Sequence, residues 1–499
     1  MLRYLLILFT IILCFDAQSK NYPQNNQVIK HLQVMYETDV HENADAYEFY
    51  VFNKNKLIDY AKTQHPVYLG KTILDFGSNY KLKVKKLKQK EILNEYSITF
   101  KTAQSKRAGN EFSRIEITKY DSVKTLNGLI FMDNNFIVNR RGKPVYCIDT
   151  SIAFVRNFHI TNTGTLFYLD STVLIETNLN GKVLWRSPNI DNNEFKVLEY
   201  HHDMLKTRKG TYLCIASVKY KNIKQKVKYN VLIELDRNNN IKWIWHEKDF
   251  FPNDSIVFKA THINSLFYDE DNEEIYTSNR DLHTILKIDK KTGKLIWSFG
   301  YQFNDVPYVE NNIVKMQHRV IKLPNNNLLV FNNDSGDGST ARTSVVEISN
   351  PGNEGNAAEI IWSYRFNFDS EVENFIPRMG GAVKLKNGNY LIASGIFDRN
   401  FEITKDGEIV WELRMEQYNQ YAKQFAGAPC YRSNFATSLY PYYYILYKKQ
   451  SKYVIYNAGT ENIWISLKFK SGKTQNLNLK SSNQIELNEK PIGVIRLFK

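Results

Sequence analysis

Apolar and polar residues alternate along much of the chain. Runs such as "VLIET" (173–177), "VLIEL" (231–235), "ILKID" (285–289), "VVEIS" (345–349) and "NFEIT" (400–404) are strand-like: short, mostly apolar and rich in β-branched residues. Each leads through a turn of small or polar residues to an aromatic. The closing phrases are "NGKVLW" ending at Trp185, "NNIKW" at Trp243, "TGKLIW" at Trp297, "AAEIIW" at Trp362 and "DGEIVW" at Trp411, with an earlier variant, "RGKPVY", at Tyr146. A Gly, Asn or Asp turn between two such runs is a hairpin signal. A second phrase interleaves with the first: "TGTLFYL" from Thr163, "KGTYLCIAS" from Lys209, "NEEIYTSNR" from Asn272, "NNNLLVFNN" from Asn325 and "NGNYLIASG" from Asn387.

Each unit therefore holds about four short strands, and the six aromatic phrases fall 39 to 65 residues apart. That period and content predict an all-β chain whose main domain is a six-bladed β-propeller over residues 126–445, with the Trp packed between blades. Residues 20–125 are β-like without the Trp phrase and predict a separate N-terminal β-sandwich. Residues 446–499 predict a small β-rich C-terminal segment.

The first residues change the picture of location. Arg3, the apolar run Tyr4 to Phe15 and Ala17-Gln18-Ser19 have the layout of a signal peptide, 1–19. The run is short for a membrane span, so the mature chain is expected to be exported, periplasmic or extracellular, without a transmembrane segment. Cys14 follows Leu13, which is large for a lipidation site. Cys147, Cys214 and Cys430 form no disulfide framework. The formal net charge of +14 favours anionic partners. The lysines are dispersed among polar residues, with no arginine-rich block or basic helix, which argues against nucleic acid. Homodimerisation is left open.

The candidate chemistry lies in the histidines. His202 is eight residues before the turn residue Gly210, and His318 eight before Asn326. His262 is ten before Asn272, in a unit whose turn is longer. The same position is Gly380 in the next unit and falls near Arg156 in the unit before. Equivalent positions in successive blades surround one axis, so three imidazoles would converge at the channel mouth. Arg280 is on the blade of His262, and Asn264 is two residues beyond that histidine. Hydrogen-bonded structural histidines and a three-histidine metal site are the competing readings. A fixed guanidinium disfavours the metal and suits a small tetrahedral oxyanion. His159, His201, His246 and His283 lack the register and are expected to be surface or structural residues.

Taken in order, "HHDM", "THINSLFYD", "NEEIYTSNRDLHTILKIDKKTGKLIWSFG", "MQHRVIKLPNNNLLVFNND", "TSVVEIS", "MGGAVKLKNGNYLIASG" and "GEIVWE…YRS" resemble the bacterial arylsulfotransferase family, which uses no nucleotide sulfate donor. The resemblance spans roughly residues 120–445. It implies an exported six-bladed propeller with an N-terminal β-sandwich, and ping-pong transfer of a sulfuryl group from a phenolic sulfate ester to an acceptor phenol. It implies His318 as the nucleophile, His262 and Arg280 as holders of the sulfuryl oxygens, Asn264 as a substrate-binding residue, and His202 (or His201) as the histidine of the "HHD" phrase. No cofactor or metal is implied. The chain departs from the family in having Thr343-Ser344 where members often carry Ser-Arg, and in lacking a close cysteine pair. Two other functions compete. A quinoprotein-like dehydrogenase propeller would have eight blades and a bound quinone. A non-catalytic exported binding propeller would leave the histidine register a coincidence.

Overall fold

The computed structural model describes residues 21–497 apart from 150–154, 224–227, 252–260, 301–305, 310–312, 334–340, 353–354 and 420. The proposed signal peptide lies outside the described residues. The chain divides into two compact units: residues 104–439, and residues 1–103 together with 440–499.

The larger unit is a six-bladed β-propeller. Six sheets of four or more strands follow one another along the chain. The innermost strand of the first sheet is Ser433–Ala436, which pairs antiparallel with Leu129–Met132. The strand that completes the first blade thus comes from the far end of the unit. The inner strands of the other blades are Arg156–Ile160, Phe195–Lys206, Ile263–Asp269, Arg319–Lys322 and Gly381–Lys384. Each packs against the next, and Ser433–Ala436 packs against both Gly381–Lys384 and Arg156–Ile160, so the ring is closed. A closed ring leaves each blade sandwiched between two others. That is why strands such as Leu328–Asn332 are buried on both faces and read as a near-continuous apolar run.

The blade interfaces explain the Trp phrase. Trp185 of the second blade stacks on Tyr212 of the third at 3.7 Å, and Trp362 of the fifth on Tyr390 of the sixth at 3.9 Å. Such pairs are each worth about 0.5–1.5 kcal/mol beyond area burial. Other indoles donate Nε1–H to a turn of the following blade: Trp297 to the Gly352 carbonyl and Trp411 to that of Arg140 at 2.8 Å. In the third blade this bond is made by Trp245, to the Gly293 carbonyl, rather than by Trp243. A buried glutamate on the strand paired with the Trp strand braces four of the interfaces, among them Glu234 with Lys290 at 2.7 Å and Glu402 with Arg140. Glu176 binds Lys206 at 2.7 Å and Glu347 binds Lys384 at 2.7 Å, each also accepting from the Tyr hydroxyl of the next blade.

The unit boundaries differ from those read in the sequence. Ser113–Tyr120 pairs with Ile409–Asn419 on the sixth blade, so residues after 103 belong with the propeller. Tyr444–Lys449 pairs with Lys452–Asn457, so residues from 440 onward belong with the C-terminal strands. The smaller unit contains the N-terminal β-sandwich. Its five-stranded sheet and the Met35–Glu37/Val67–Leu69 ribbon share a core of Val34, Tyr36, Phe49, Val51, Leu82, Val84 and Phe100. Two three-stranded sheets complete the unit. No helix among the described residues is long and apolar enough to cross a membrane.

Candidate active site

The last ladder pair before the turn sets the register of each inner strand. Lys206 pairs with Tyr212, Lys322 with Leu328, Ile160 with Leu166, Lys384 with Tyr390, and Ala436 with Leu129. Four residues upstream of the first member stand His202, His318, Arg156, Gly380 and Arg432. On the fourth blade His262 stands seven residues before Asp269, whose pair with Glu274 is the last before the turn, and a bulge between Ile263 and Ser265 takes up one of the additional residues. Its imidazole nevertheless meets that of His202, so the ring of positions at the start of the inner strands is Arg156, His202, His262, His318, Gly380 and Arg432. His202 and His262 both adopt left-handed backbone, with φ of 58° and 57°, a conformation costing a non-glycine residue about 1–2 kcal/mol.

The structure brings the predicted residues together in part by direct contact. His202 Nε2 lies 3.4 Å from His262 Nε2. His262 Nδ1 faces Asp281 Oδ2 at 3.3 Å, and Arg280 donates to Asp281 Oδ1 at 2.7 Å and to the Pro377 carbonyl at 3.1 Å. The Tyr431 ring lies between His202 and His318, at 5.8 and 6.1 Å from their centroids. Asn264 is fully buried. Its Nδ2 donates to the Gln317 carbonyl at 2.8 Å, which sets the backbone entering His318.

The surroundings of His318 settle its tautomer. Asn333 Nδ2 donates to the carbonyls of Ile376 and Met379 at 2.7 and 3.0 Å, so its Oδ1 is turned to His318 Nδ1 at 2.7 Å. The Met316 carbonyl lies 3.1 Å from the same nitrogen. Two acceptors facing Nδ1 require a proton there, and Nε2 is left with the lone pair. Burial, reinforced by the Arg280 and Arg432 cations, lowers the imidazole to about 3. It is therefore neutral near pH 7. Burial also pushes His202 well down, with His201, His262 and Arg156 adding to the effect.

Around this nucleophile-like nitrogen are buried donors without acceptors among the described residues: Arg280 Nε, Arg432 Nε and the Tyr431 hydroxyl. Buried donors of this kind are costly unless a ligand or water takes them. Guanidinium and hydroxyl donors of this kind suit a small oxyanion. No group of three or more metal-ligating side chains placed to hold an ion occurs among the described residues.

Arg342, which stands beside the departure at Thr343-Ser344, pairs with Glu371 at 2.9 Å on the surface. Thr343 instead accepts the Ile376 N–H at 2.7 Å and donates to the Asn333 carbonyl at 3.4 Å, so it supports the loop that carries Asn333. His159, His246 and His283 are hydrogen-bonded structural residues, on the Asn157 carbonyl, the Tyr220 hydroxyl and the Met316 N–H respectively. His201 is buried and bonds His202 directly, Nδ1 to Nδ1, at 2.7 Å. Sequence reasoning missed Arg432 as a member of the ring and Tyr431 as its neighbour beside His202 and His318. Their only signal was the "YRS" phrase ahead of a strand with no hairpin turn after it.

A family model described as Arylsulfotransferase (ASST) matches residues 114–432, from the strand on the outer edge of the sixth blade to Arg432. No curated protein matches the chain in sequence. Similar solved structures include a protein of unknown function from Bacteroides caccae, 12% identical, covering 62% of this chain and 98% of that one with a TM-score of 0.39. An auxiliary nutrient binding protein from Bacteroides ovatus is 10% identical, covering 88% and 94% with a TM-score of 0.35. Virginiamycin B lyase from Staphylococcus aureus is 10% identical, covering 69% and 95% with a TM-score of 0.32.

Proposed function

Because the chain belongs to the arylsulfotransferase family, we propose that it moves a sulfuryl group from an aryl sulfate to an acceptor phenol through a sulfohistidine at His318. The observation that carries this is the neutral, tautomer-fixed imidazole, with its Nε2 lone pair beside buried cations.

In the first step Nε2 attacks sulfur, the N–S bond forms, and the bond to the phenolic oxygen breaks. The new positive charge on the ring is met at Nδ1–H by Asn333 Oδ1 and the Met316 carbonyl. Arg280 and, through Nε2–H when its ring carries the second proton, His262 hold the sulfuryl oxygens, whose charge is spread in the transition state. Asn264 supports the same pocket through the backbone before His318 and has an amide hydrogen to spare for substrate. His202 handles the phenol proton. A second phenol then attacks the sulfohistidine and restores the enzyme. The layout of residues 1–19 supports export, and no cofactor is needed. The six blades do not fit the eight-bladed quinoprotein reading.

The test is His318→Ala with an aryl sulfate donor and a phenol acceptor, no nucleotide added, plus mass spectrometry of donor-treated protein. Loss of both half-reactions, and a sulfuryl adduct on a His318 peptide of the parent protein, are expected. Near-normal turnover of the variant, or an adduct elsewhere, overturns the assignment. A parent protein inert across a broad phenol panel favours a binding propeller.

A further inference from the structure

A chain of polar contacts runs through the two paired histidines and has a carboxyl group at each end. At one end Glu247 is fully buried. Its Oε2 accepts the Asn230 backbone N–H at 2.8 Å, a donor with no alternative, and Asn230 Nδ2 at 3.0 Å. Asn230 Nδ2 also donates to Thr261 Oγ1 at 3.2 Å. The amide is thereby oriented, and its Oδ1 faces His201 Nε2 at 3.0 Å. An acceptor there requires the His201 proton on Nε2, which leaves His201 Nδ1 with a lone pair. That lone pair meets His202 Nδ1 at 2.7 Å, so His202 carries its proton on Nδ1. In neutral His202, Nε2 then has a lone pair as well.

At the other end Asp281 Oδ2 requires a proton on His262 Nδ1. In neutral His262, Nε2 too has a lone pair. The two Nε2 atoms face each other at 3.4 Å. Two lone pairs in that position repel. One added proton converts the contact into an N–H···N hydrogen bond.

We propose that His202 and His262 store one proton between their Nε2 atoms, that this is the proton given to the leaving phenolate and recovered from the acceptor phenol, and that His201, Asn230 and Glu247 are the positioning residues that hold His202 in the tautomer for this exchange. The inference rests on the sulfuryl-transfer reading above. The balance is complete. Donor and proton-loaded pair give sulfohistidine, free phenol and a proton-free pair. The acceptor phenol returns its proton to the pair as its oxygen takes the sulfuryl group. Asp281 Oδ2 against His262 Nδ1 places a negative charge on the His262 side of the pair. Burial first, and then His201, His262, Arg156 and His318, disfavour a resident charge on His202, whose ring also meets that of Tyr431. Burial lowers His201 to about 4, which keeps it neutral and its Nδ1 an acceptor.

The experiment compares the parent protein with His201→Phe and His201→Asn on a series of aryl sulfates whose phenols differ in acidity. Phe removes the acceptor facing His202 Nδ1, and Asn retains an oxygen there. Turnover by His201→Phe should fall roughly a hundredfold with donors of weakly acidic phenols and less than about threefold with donors of strongly acidic ones. His201→Asn should recover most of the loss. Equal losses across the series, or no recovery with Asn, overturn the positioning role. ¹⁵N NMR of the imidazoles in the resting parent protein is the second readout and needs no turnover. Protonation at His201 Nε2 and His202 Nδ1 is expected, with one strongly deshielded proton that disappears in His201→Phe. A His202 protonated on Nε2 alone overturns the inference. If the parent forms no N–S adduct and transfers nothing, the sulfuryl-transfer reading fails and the exchange role falls with it, while the spectrum still decides whether the proton is shared.

Discussion

His318 is poised by a side chain that the sequence does not advertise. Asn333 gives both amide hydrogens to backbone carbonyls and has only its oxygen left for the imidazole. Asn333→Ala removes that acceptor and frees the ring to place its proton on either nitrogen. Turnover should drop by about 10–100-fold, as for other residues that orient a reactive histidine, with KM for the donor little changed. Steady-state kinetics checks this, and a variant with a pure KM effect would contradict it. The same burial has a cost in acid. His318 in the unfolded chain takes its proton near pH 6.5, but in the folded protein only near 3. Between these values the unfolded state binds more protons, so stability is highest above pH 6.5 and is lost as pH falls towards 3. Buried His201, lowered to about 4, acts in the same direction. Urea midpoints measured from pH 7 to 4 should decline, with a shallower slope in His318→Ala. An identical slope in the variant would rule out His318 as a source.

The inner strand was the most legible element, and its limits are instructive. Counting from the turns placed His202, His262 and His318 at one level, because hairpin turns repeat in type and so fix the pleat. The count for His262 needed extra length, which the structure places in the strand, with a bulge at Ile263/Ser265, and not in the turn, since the loop between Asp269 and Glu274 is no longer than that between Lys206 and Tyr212. His201 was read as surface or structural because it stands one residue out of that register, and adjacent residues in a strand point to opposite faces. A left-handed φ of 58° at His202 breaks that alternation and lets the two rings meet. Gly380 occupies the ring position where three blades carry histidine. Its φ is 97°, and an added Cβ would come within 2.3 Å of the Phe331 ring. Gly380→Ala should therefore cost about 1–3 kcal/mol from overpacking alone, and more with the backbone strain. Thermal or urea unfolding measures it, and a variant as stable as the parent would show that the Phe331 ring gives way.

For the molecule as a whole, closure of the ring was the feature that local patterns could not supply. Ser433–Ala436 has no hairpin partner beside it in sequence; it pairs with Leu129–Met132, some three hundred residues earlier. The count from the turns therefore had nothing to attach to Arg432. That guanidinium is fully buried and reaches three other blades. It pairs with Asp203 at 2.7 Å and donates to the carbonyls of Asn264 and His318, the latter at 3.0 Å. Arg432→Met should leave Asp203 as an unpaired buried charge and destabilise the propeller by about 3–5 kcal/mol. Calorimetry tests this; a loss under about 1 kcal/mol would mean that the carboxylate finds another partner.

The position of that clamp along the chain also fixes an order in time. Synthesis runs from the N-terminus, so His202, His262 and His318 are all made before the residue that joins their blades. Until residue 432 has emerged, no growing chain holds both guanidiniums near His318, however many blades it has folded. Any activity that depends on the complete pocket is thereby withheld from every incomplete chain and begins only when the last strand has met the first blade.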